Sequence, residues 1–144
     1  MDSTPGWLLW ALFSAGFAAL TAICAKVGLD GVNSDFATLV RTAVILVVLG
    51  GYVYFRGVWA DPFRLPTKTL VFLVASGLAT GASWVCYFRA LKIGEVSKVA
   101  PVDKLSVVMV AVFAFLFLGE RPSTREWTGI ILVGAGVIVL SLRK

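Results

Sequence analysis

Four charged residues lie within or beside long apolar stretches, where a charge is costly. Arg41 interrupts an apolar run over residues 36–55, and Asp103 with Lys104 interrupts another over residues 99–119. Asp35 immediately precedes the first of these runs. A charged side chain inside a bilayer must pair or face water. We therefore predict that Arg41 and Lys104 contact an anionic or carboxylate-bearing solute or form a gate, with Asp35 and Asp103 as their partners. The alternative is that all four are structural counter-charges.

Three further residues are weaker candidates for a solute cavity. Trp84 and Tyr87 lie in an apolar run over residues 69–88, away from the other tryptophans, and Ser106 follows Lys104 closely. Ordinary helix packing is the alternative interpretation of the two aromatic residues. Pro101 would weaken the first turns of its helix, and broken helices often line transporter sites. A harmless proline at the start of a helix is the alternative.

The remaining basic residues near these runs fit a simpler interpretation. Lys26, Arg89 and Lys92 lie close to the ends of apolar stretches. Long basic side chains at such positions usually extend to the lipid headgroups. The net charge of +5 is therefore explained by contact with anionic lipid rather than with nucleic acid.

Catalytic and metal chemistry are disfavoured by the residue types present. The chain has no histidine, and its two cysteines, Cys24 and Cys86, each lie in an apolar stretch. The sequence offers no nucleophile–base pair, phosphate loop or metal cluster. We therefore predict that the protein is not an enzyme, that it uses no cofactor and that it binds no metal.

The elements that must position these residues are hydrophobic helices. The chain is 59% hydrophobic and 15% charged, whereas a soluble domain is about 45–50% apolar and about 25% charged. Five apolar runs approach the length needed to span a bilayer. The sequence predicts one all-α polytopic membrane domain over residues 1–144, with helices at about 5–27, 35–55, 68–91, 98–119 and 124–142.

The orientation of these helices is weakly specified. Trp7, Trp10, Trp59 and Trp127 fall at one end of the predicted helices, named side A, and indicate an interfacial aromatic belt. Residues 1–4 lack the basic region of a signal peptide, so the first run is expected to be retained. An odd number of spans puts the termini on opposite sides. The bases divide almost evenly between side A and the opposite side B, with a small excess that favours side B as cytoplasmic. Two alternatives stay open for a bacterial or archaeal inner membrane: one fixed orientation, or dual topology with insertion in both directions.

Small residues supply candidate faces for close helix contact. Gly77 and Gly81 form a GxxxG pattern, and Gly129, Gly134 and Gly136 follow one another in the last predicted helix. In lipid, such faces let helix backbones approach closely. We predict that these glycines serve helix packing or dimer formation.

The last third of the sequence resembles EamA-type proteins of the drug/metabolite transporter superfamily. The resemblance rests on APVDKLS at residues 100–106, FLGE at residues 117–120 and WTGI at residues 127–130. Residues 129–137 also resemble the last helix of small multidrug resistance proteins, which use it to dimerise. The five-helix length is similar to that of the bacterial/archaeal transporter branch, in which a chain is a single repeat and larger relatives carry two in inverted topology.

This resemblance implies a secondary transporter that works by alternating access as an antiparallel homodimer, or as half of a heteromer. Small multidrug resistance proteins carry a glutamate in the middle of their first helix for proton-coupled drug exchange. The corresponding helix here offers Ser14, Thr21 and Lys26 but no acid, which disfavours drug/proton antiport. A basic mid-membrane charge also disfavours a cationic substrate. The alternative function is a non-transporting membrane subunit that packs against another protein.

Overall fold

The computed structural model describes residues 6–142 as a succession of helices. The predicted helix start at residue 5 and the basic residues Arg143 and Lys144 lie outside the described residues. The elements are α1 (Gly6–Gly28), α2 (Ser34–Phe55), a 3₁₀ turn (Pro62–Arg64), α3 (Thr67–Ile93), α4 (Val96–Asp103), α5 (Leu105–Phe113), a π-helical turn (Ala114–Leu118) and α6 (Thr124–Ser141).

Apolar side chains cover the outside of every helix. Val47 is 74% exposed and Phe55 is 89% exposed, although both lie in a strongly apolar helix. Within residues 6–142, five helices are long and apolar enough to cross a membrane, with α4, α5 and the π turn together forming the fourth span, Val96–Leu118. Because so much apolar surface would be unstable in water, lipid must cover it. The predicted all-α fold of five spanning helices is confirmed, and residues 6–142 contain no strand.

Residues 24–93 form one compact unit, in which α2 and α3 pack against each other. Asn33 caps α2, because its side-chain oxygen accepts hydrogen bonds from the backbone N–H of Asp35 at 2.8 Å and of Phe36 at 3.3 Å. The buried hydroxyl of Thr38 donates to the carbonyl of Ser34 at 2.8 Å. These local bonds satisfy the polar groups at the start of α2.

A second unit comprises residues 6–23 and 94–142, and in it α6 packs against α4 and α5. The fourth span is broken after α4: the backbone N–H of Lys104 donates to Pro101 at 2.9 Å, and that of Val107 donates to Lys104 at 3.0 Å. These bonds close tighter turns than those of an α-helix. Pro101 lies just before the break, as expected for a residue that removes a helical hydrogen bond.

The far end of the fourth span is stopped by a glycine. Gly119 adopts φ +69° and its N–H donates to the carbonyl of Ala114. Glycine reaches this left-handed conformation without the steric cost that other residues incur. Ser123 and Glu126 then form a reciprocal capping box that starts α6.

The predicted packing glycines differ in their surroundings. A Cβ added at Gly134 would lie 3.3 Å from the Cγ2 of Val108, so α5 and α6 approach closely there. A Cβ at Gly77, Gly81, Gly129 or Gly136 would meet nothing within 4 Å. Gly134 therefore serves packing within this unit, and a role of the other four in a dimer stays a prediction.

The close contact at Gly134 predicts a selective loss of stability. Gly134→Leu should lower the free energy of unfolding by about 1–3 kcal/mol, because the new side chain overpacks against Val108. Gly16→Leu is the control, since a Cβ there meets nothing within 4 Å and both changes raise helix propensity alike. Thermal unfolding in detergent compares the two variants. Equal midpoints would show that α5 and α6 are not close at Gly134.

Candidate functional site

The guanidinium of Arg41 lies against two aromatic rings of α3. Its central carbon is 4.2 Å from the ring centroid of Trp84 and 5.3 Å from that of Phe88. Trp84 and Phe88 are four residues apart in a helix and so share one face. Phe88 is buried, so this face of α3 is turned toward the protein interior. The arrangement is a cation–π cluster inside a predicted span.

Arg41 forms no salt bridge with any of the residues from 6 to 142. Asp35, considered from sequence as its partner, instead accepts two hydrogen bonds from Arg89: one from Nε at 2.9 Å and one from Nη2 at 2.8 Å. This bidentate pair joins the start of α2 to the end of α3. The positive charge of Arg41 is thus stabilised by ring faces, while the N–H edge of its guanidinium has no carboxylate to bind.

The two lysines of the same unit donate to backbone carbonyls. Lys26 Nζ is 2.6 Å from the carbonyl oxygen of Leu91, and Lys92 Nζ donates to the carbonyl of Val32. Together with Asp30 they border a cleft of about 390 Å³. Cations at the C-terminal end of α3 also interact favourably with the helix dipole. These contacts favour a structural role for Lys26 and Lys92.

Asp103 and Lys104 lie together at the break in the fourth span. Their side chains approach to 3.2 Å and are both partly exposed. Ser106 is exposed in the first turn of α5, directly after the break. This cluster belongs to the unit that contains α4 to α6, whereas Arg41 and Trp84 belong to the unit of residues 24–93.

Two features of the site were not found from sequence. Phe88 was not singled out, although its four-residue spacing from Trp84 would have placed both rings on one helix face. The ring of Tyr87 lies near that of Phe88, with their centroids 6.5 Å apart. Arg89 was interpreted as extending to the headgroups, and its partner Asp35 could not be assigned without knowing which faces of α2 and α3 meet.

No group of three histidine, cysteine or acidic residues suited to a metal occurs within the described stretch, residues 6–142.

Five apolar spans, intramembrane charges and a broken helix together define a multi-pass membrane protein of the transporter class. The chain belongs to the EamA-like transporter family, whose model matches residues 5–142. The resemblance seen in the sequence is confirmed, and so is the prediction of a transporter rather than an enzyme.

Relatives of different lengths share this family. A protein of Sinorhizobium sp., described as an uncharacterized transporter in the cobO 3' region, is 55% identical over 139 residues, which are 96% of this chain and 99% of the relative. The Bacillus subtilis uncharacterized transporter YxxF is 24% identical over 138 residues, which are 95% of this chain and 43% of the relative.

A third relative is described as a subunit. A Yersinia pestis protein, the probable 4-amino-4-deoxy-L-arabinose-phosphoundecaprenol flippase subunit ArnE, is 27% identical over 84 residues, which are 58% of this chain and 74% of the relative. No solved structure matches the chain significantly.

The pair of Asp35 and Arg89 predicts a measurable coupling between α2 and α3. A double-mutant cycle of Asp35→Asn and Arg89→Gln should give a small favourable coupling that shrinks as salt rises, since both side chains are partly exposed. The cycle cancels the effect of Asp35 on the dipole of α2. Thermal unfolding in detergent at low and high salt measures it.

The matched control is the pair of Asp61 and Arg64, which is longer at 3.7 Å and more exposed. Its cycle, Asp61→Asn with Arg64→Gln, should give a smaller coupling. Equal couplings for the two pairs would mean that the bidentate contact does not hold α2 to α3.

Proposed function

We propose that this protein carries a small polar or anionic metabolite across the bacterial inner membrane by alternating access, as an antiparallel homodimer. The observation that supports it most is the position of Arg41. A guanidinium is always charged, and its edge matches a carboxylate or phosphate in two parallel hydrogen bonds. With its face on Trp84 and Phe88, Arg41 keeps that edge available for a transported anion.

The cost of an intramembrane charge supports the same conclusion. Among residues 6–142, Arg89 is paired with Asp35 and Lys104 with Asp103, whereas Arg41 has no acidic partner. A cation held inside a span is stabilised when an anion arrives, so that part of the cost of holding it becomes affinity for the solute. A cationic solute would meet repulsion at the same place.

Lys104 supports a role of the fourth span in solute contact or gating. Discontinuous helices in transporters free backbone groups at the level of the substrate. The turn at Lys104 interrupts α-helical bonding beside the ion pair that it forms with Asp103. In the proposed mechanism this turn contacts the solute or closes its path, while Arg41 supplies the fixed positive charge.

The homodimer is proposed from three observations. Transporters commonly use two repeats related by an axis in the membrane plane. The match covers 43% of the longer Bacillus relative, so two copies of the matched stretch would approach the length of that protein. The nearly even division of basic residues between the two sides favours insertion in both orientations.

A heteromeric subunit is the second candidate. The Yersinia relative is described as a flippase subunit, which favours assembly with another chain. Uptake by the purified chain alone separates the two proposals, because a subunit that needs a different partner would not transport by itself.

Removal of the charge at Arg41 should weaken recognition of anions. Arg41→Gln should weaken the apparent affinity by at least about tenfold, because a charge-assisted hydrogen bond contributes about 1.5–3 kcal/mol. Arg41→Lys should retain part of the activity. The measurement is uptake of radiolabelled mono- and dicarboxylates into proteoliposomes, with neutral sugars and amines as comparison solutes.

The control is Arg56→Gln, which removes a guanidinium at the exposed C-terminal end of the same helix. It should transport like the wild type. Normal carboxylate uptake by folded Arg41→Gln would reduce Arg41 to a structural charge. Uptake of amines in preference to carboxylates by the wild type would overturn the anionic substrate.

Orientation is tested by fixing it. Val58→Lys with Ala60→Lys adds positive charge to the exposed loop on side A, and Asp30→Lys with Ser97→Lys adds it to exposed positions on side B. Each fixed variant alone should be inactive, because both copies then insert the same way. Coexpression of the two variants should recover uptake.

Orientation is checked with a membrane-impermeant maleimide at a cysteine placed at Ser141, after Cys24 and Cys86 are replaced by alanine. Full transport by either fixed variant alone would contradict the antiparallel homodimer. Loss of uptake in the coexpressed mixture as well, with both variants folded, would contradict it too.

A further inference from the structure

An open groove of about 570 Å³ lies between α5 and α6, in the unit that does not contain Arg41. Its walls are apolar and include Val107, Val110 and Ala111 on one side and Ile130 and Val133 on the other. Its volume is typical of ligand sites. The proposed transport site at Arg41 lies outside it.

The groove has a local structural cause. The π turn at Ala114–Leu118 widens the end of the fourth span before Gly119 reverses the chain. Opposite, Gly129 lines the groove and presents no side chain, and a Cβ built there meets nothing within 4 Å. A wider helical turn facing a bare backbone leaves the space unfilled.

One end of the groove is charged. Glu120, Arg121 and Glu126 line it there. Glu126 is occupied, because it accepts hydrogen bonds from the backbone N–H of Ser123 at 2.6 Å and from its hydroxyl at 2.8 Å. Glu120 and Arg121 form no salt bridge with each other or with another residue between 6 and 142. Two neighbouring, opposite and unpaired charges thus meet an apolar groove.

Trp127 indicates at which level of the membrane this charged end lies. This residue lies beside the groove end in sequence, and its ring packs edge-to-face on Phe115 with centroids 6.3 Å apart. Tryptophan prefers the level of the lipid headgroups. The charged end therefore lies near the headgroups, and the apolar walls extend from it toward the hydrocarbon.

We propose that this groove binds a zwitterionic phospholipid, with its phosphate on Arg121, its ammonium on Glu120 and one acyl chain along the apolar walls. Charge complementarity selects this occupant. An anionic phospholipid satisfies Arg121 but places its charge beside two carboxylates, whereas a zwitterionic headgroup of opposite polarity pairs with both free charges. The apolar walls then contact a chain of matching polarity along their length.

The test is native mass spectrometry of the full-length protein released from detergent with phosphatidylethanolamine and phosphatidylglycerol of identical acyl chains. The wild type should hold about three to five times more of the first lipid, as expected for one exposed charge pair. Glu120→Gln should abolish the preference, and Arg121→Gln should weaken binding of both lipids. Arg125→Gln, which removes a charge nearby but outside the groove, should bind like the wild type.

A second test of the proposal fills the groove with a side chain. Gly129→Leu should lower the bound fraction of both lipids, because the new side chain occupies the groove, while Gly16→Leu on α1 should not. Equal binding of the two lipids by the wild type, or unchanged selectivity in folded Glu120→Gln, would overturn the proposal. With Cys24 and Cys86 replaced by alanine, a disulfide between the Ile130→Cys residues of two copies would overturn it as well, because the groove would then hold a second chain. None of these outcomes affects the proposed role of Arg41.

Discussion

The hydrocarbon of a bilayer offers neither donors nor acceptors, so every polar group in this chain must find its partner within the protein or at a wet surface. That constraint explains why the described residues are almost entirely helical, since a helix satisfies its own backbone. It also explains the polar contacts between segments. Lys26 donates to the carbonyl of Leu91 near the end of α3, Lys92 donates to the carbonyl of Val32 in the loop before α2, and Arg89 binds Asp35. The side chains at these ends complete what the helices leave unsatisfied.

Set against these satisfied groups, Arg41 is distinct in the way its charge is held. Aromatic faces stabilise a cation without neutralising it, and they leave the hydrogen-bonding edge of the guanidinium unused. A carboxylate in place of the rings would pair with the guanidinium and leave little of its hydrogen-bonding edge for a ligand. Arg41 lies six residues after Asp35 in α2 and does not bind it, whereas Arg89 binds Asp35 directly. This contrast separates a candidate binding charge from a structural one.

Hydropathy alone was enough to predict five spanning helices, because a run of about twenty apolar residues has few other stable states. The break near Pro101 was one of two interpretations that the sequence left open, because a proline at this position can either weaken the helix or start it harmlessly. The partner of Asp35 was not, because it depends on how α2 and α3 are rotated about their axes, which a nearly all-apolar helix does not encode by periodicity. The groove beside Gly129 was missed for a related reason: it arises from a π turn and an absent side chain, and neither leaves a signal in composition.

The polar contacts at one end of α2 and α3 have a further consequence for the axial alignment of these helices. Two apolar helices can slide along each other at little cost in free energy, because each apolar side chain that leaves the interface is replaced by another. A slide of one helical turn is about 5.4 Å, and it would separate Arg89 from Asp35 and Lys92 from Val32 in a single step. The same slide would carry Trp84 away from Arg41. The ion pair and the lysine contact at this end of the helices thus set the axial register of α2 and α3, and with it which ring faces Arg41 several residues away.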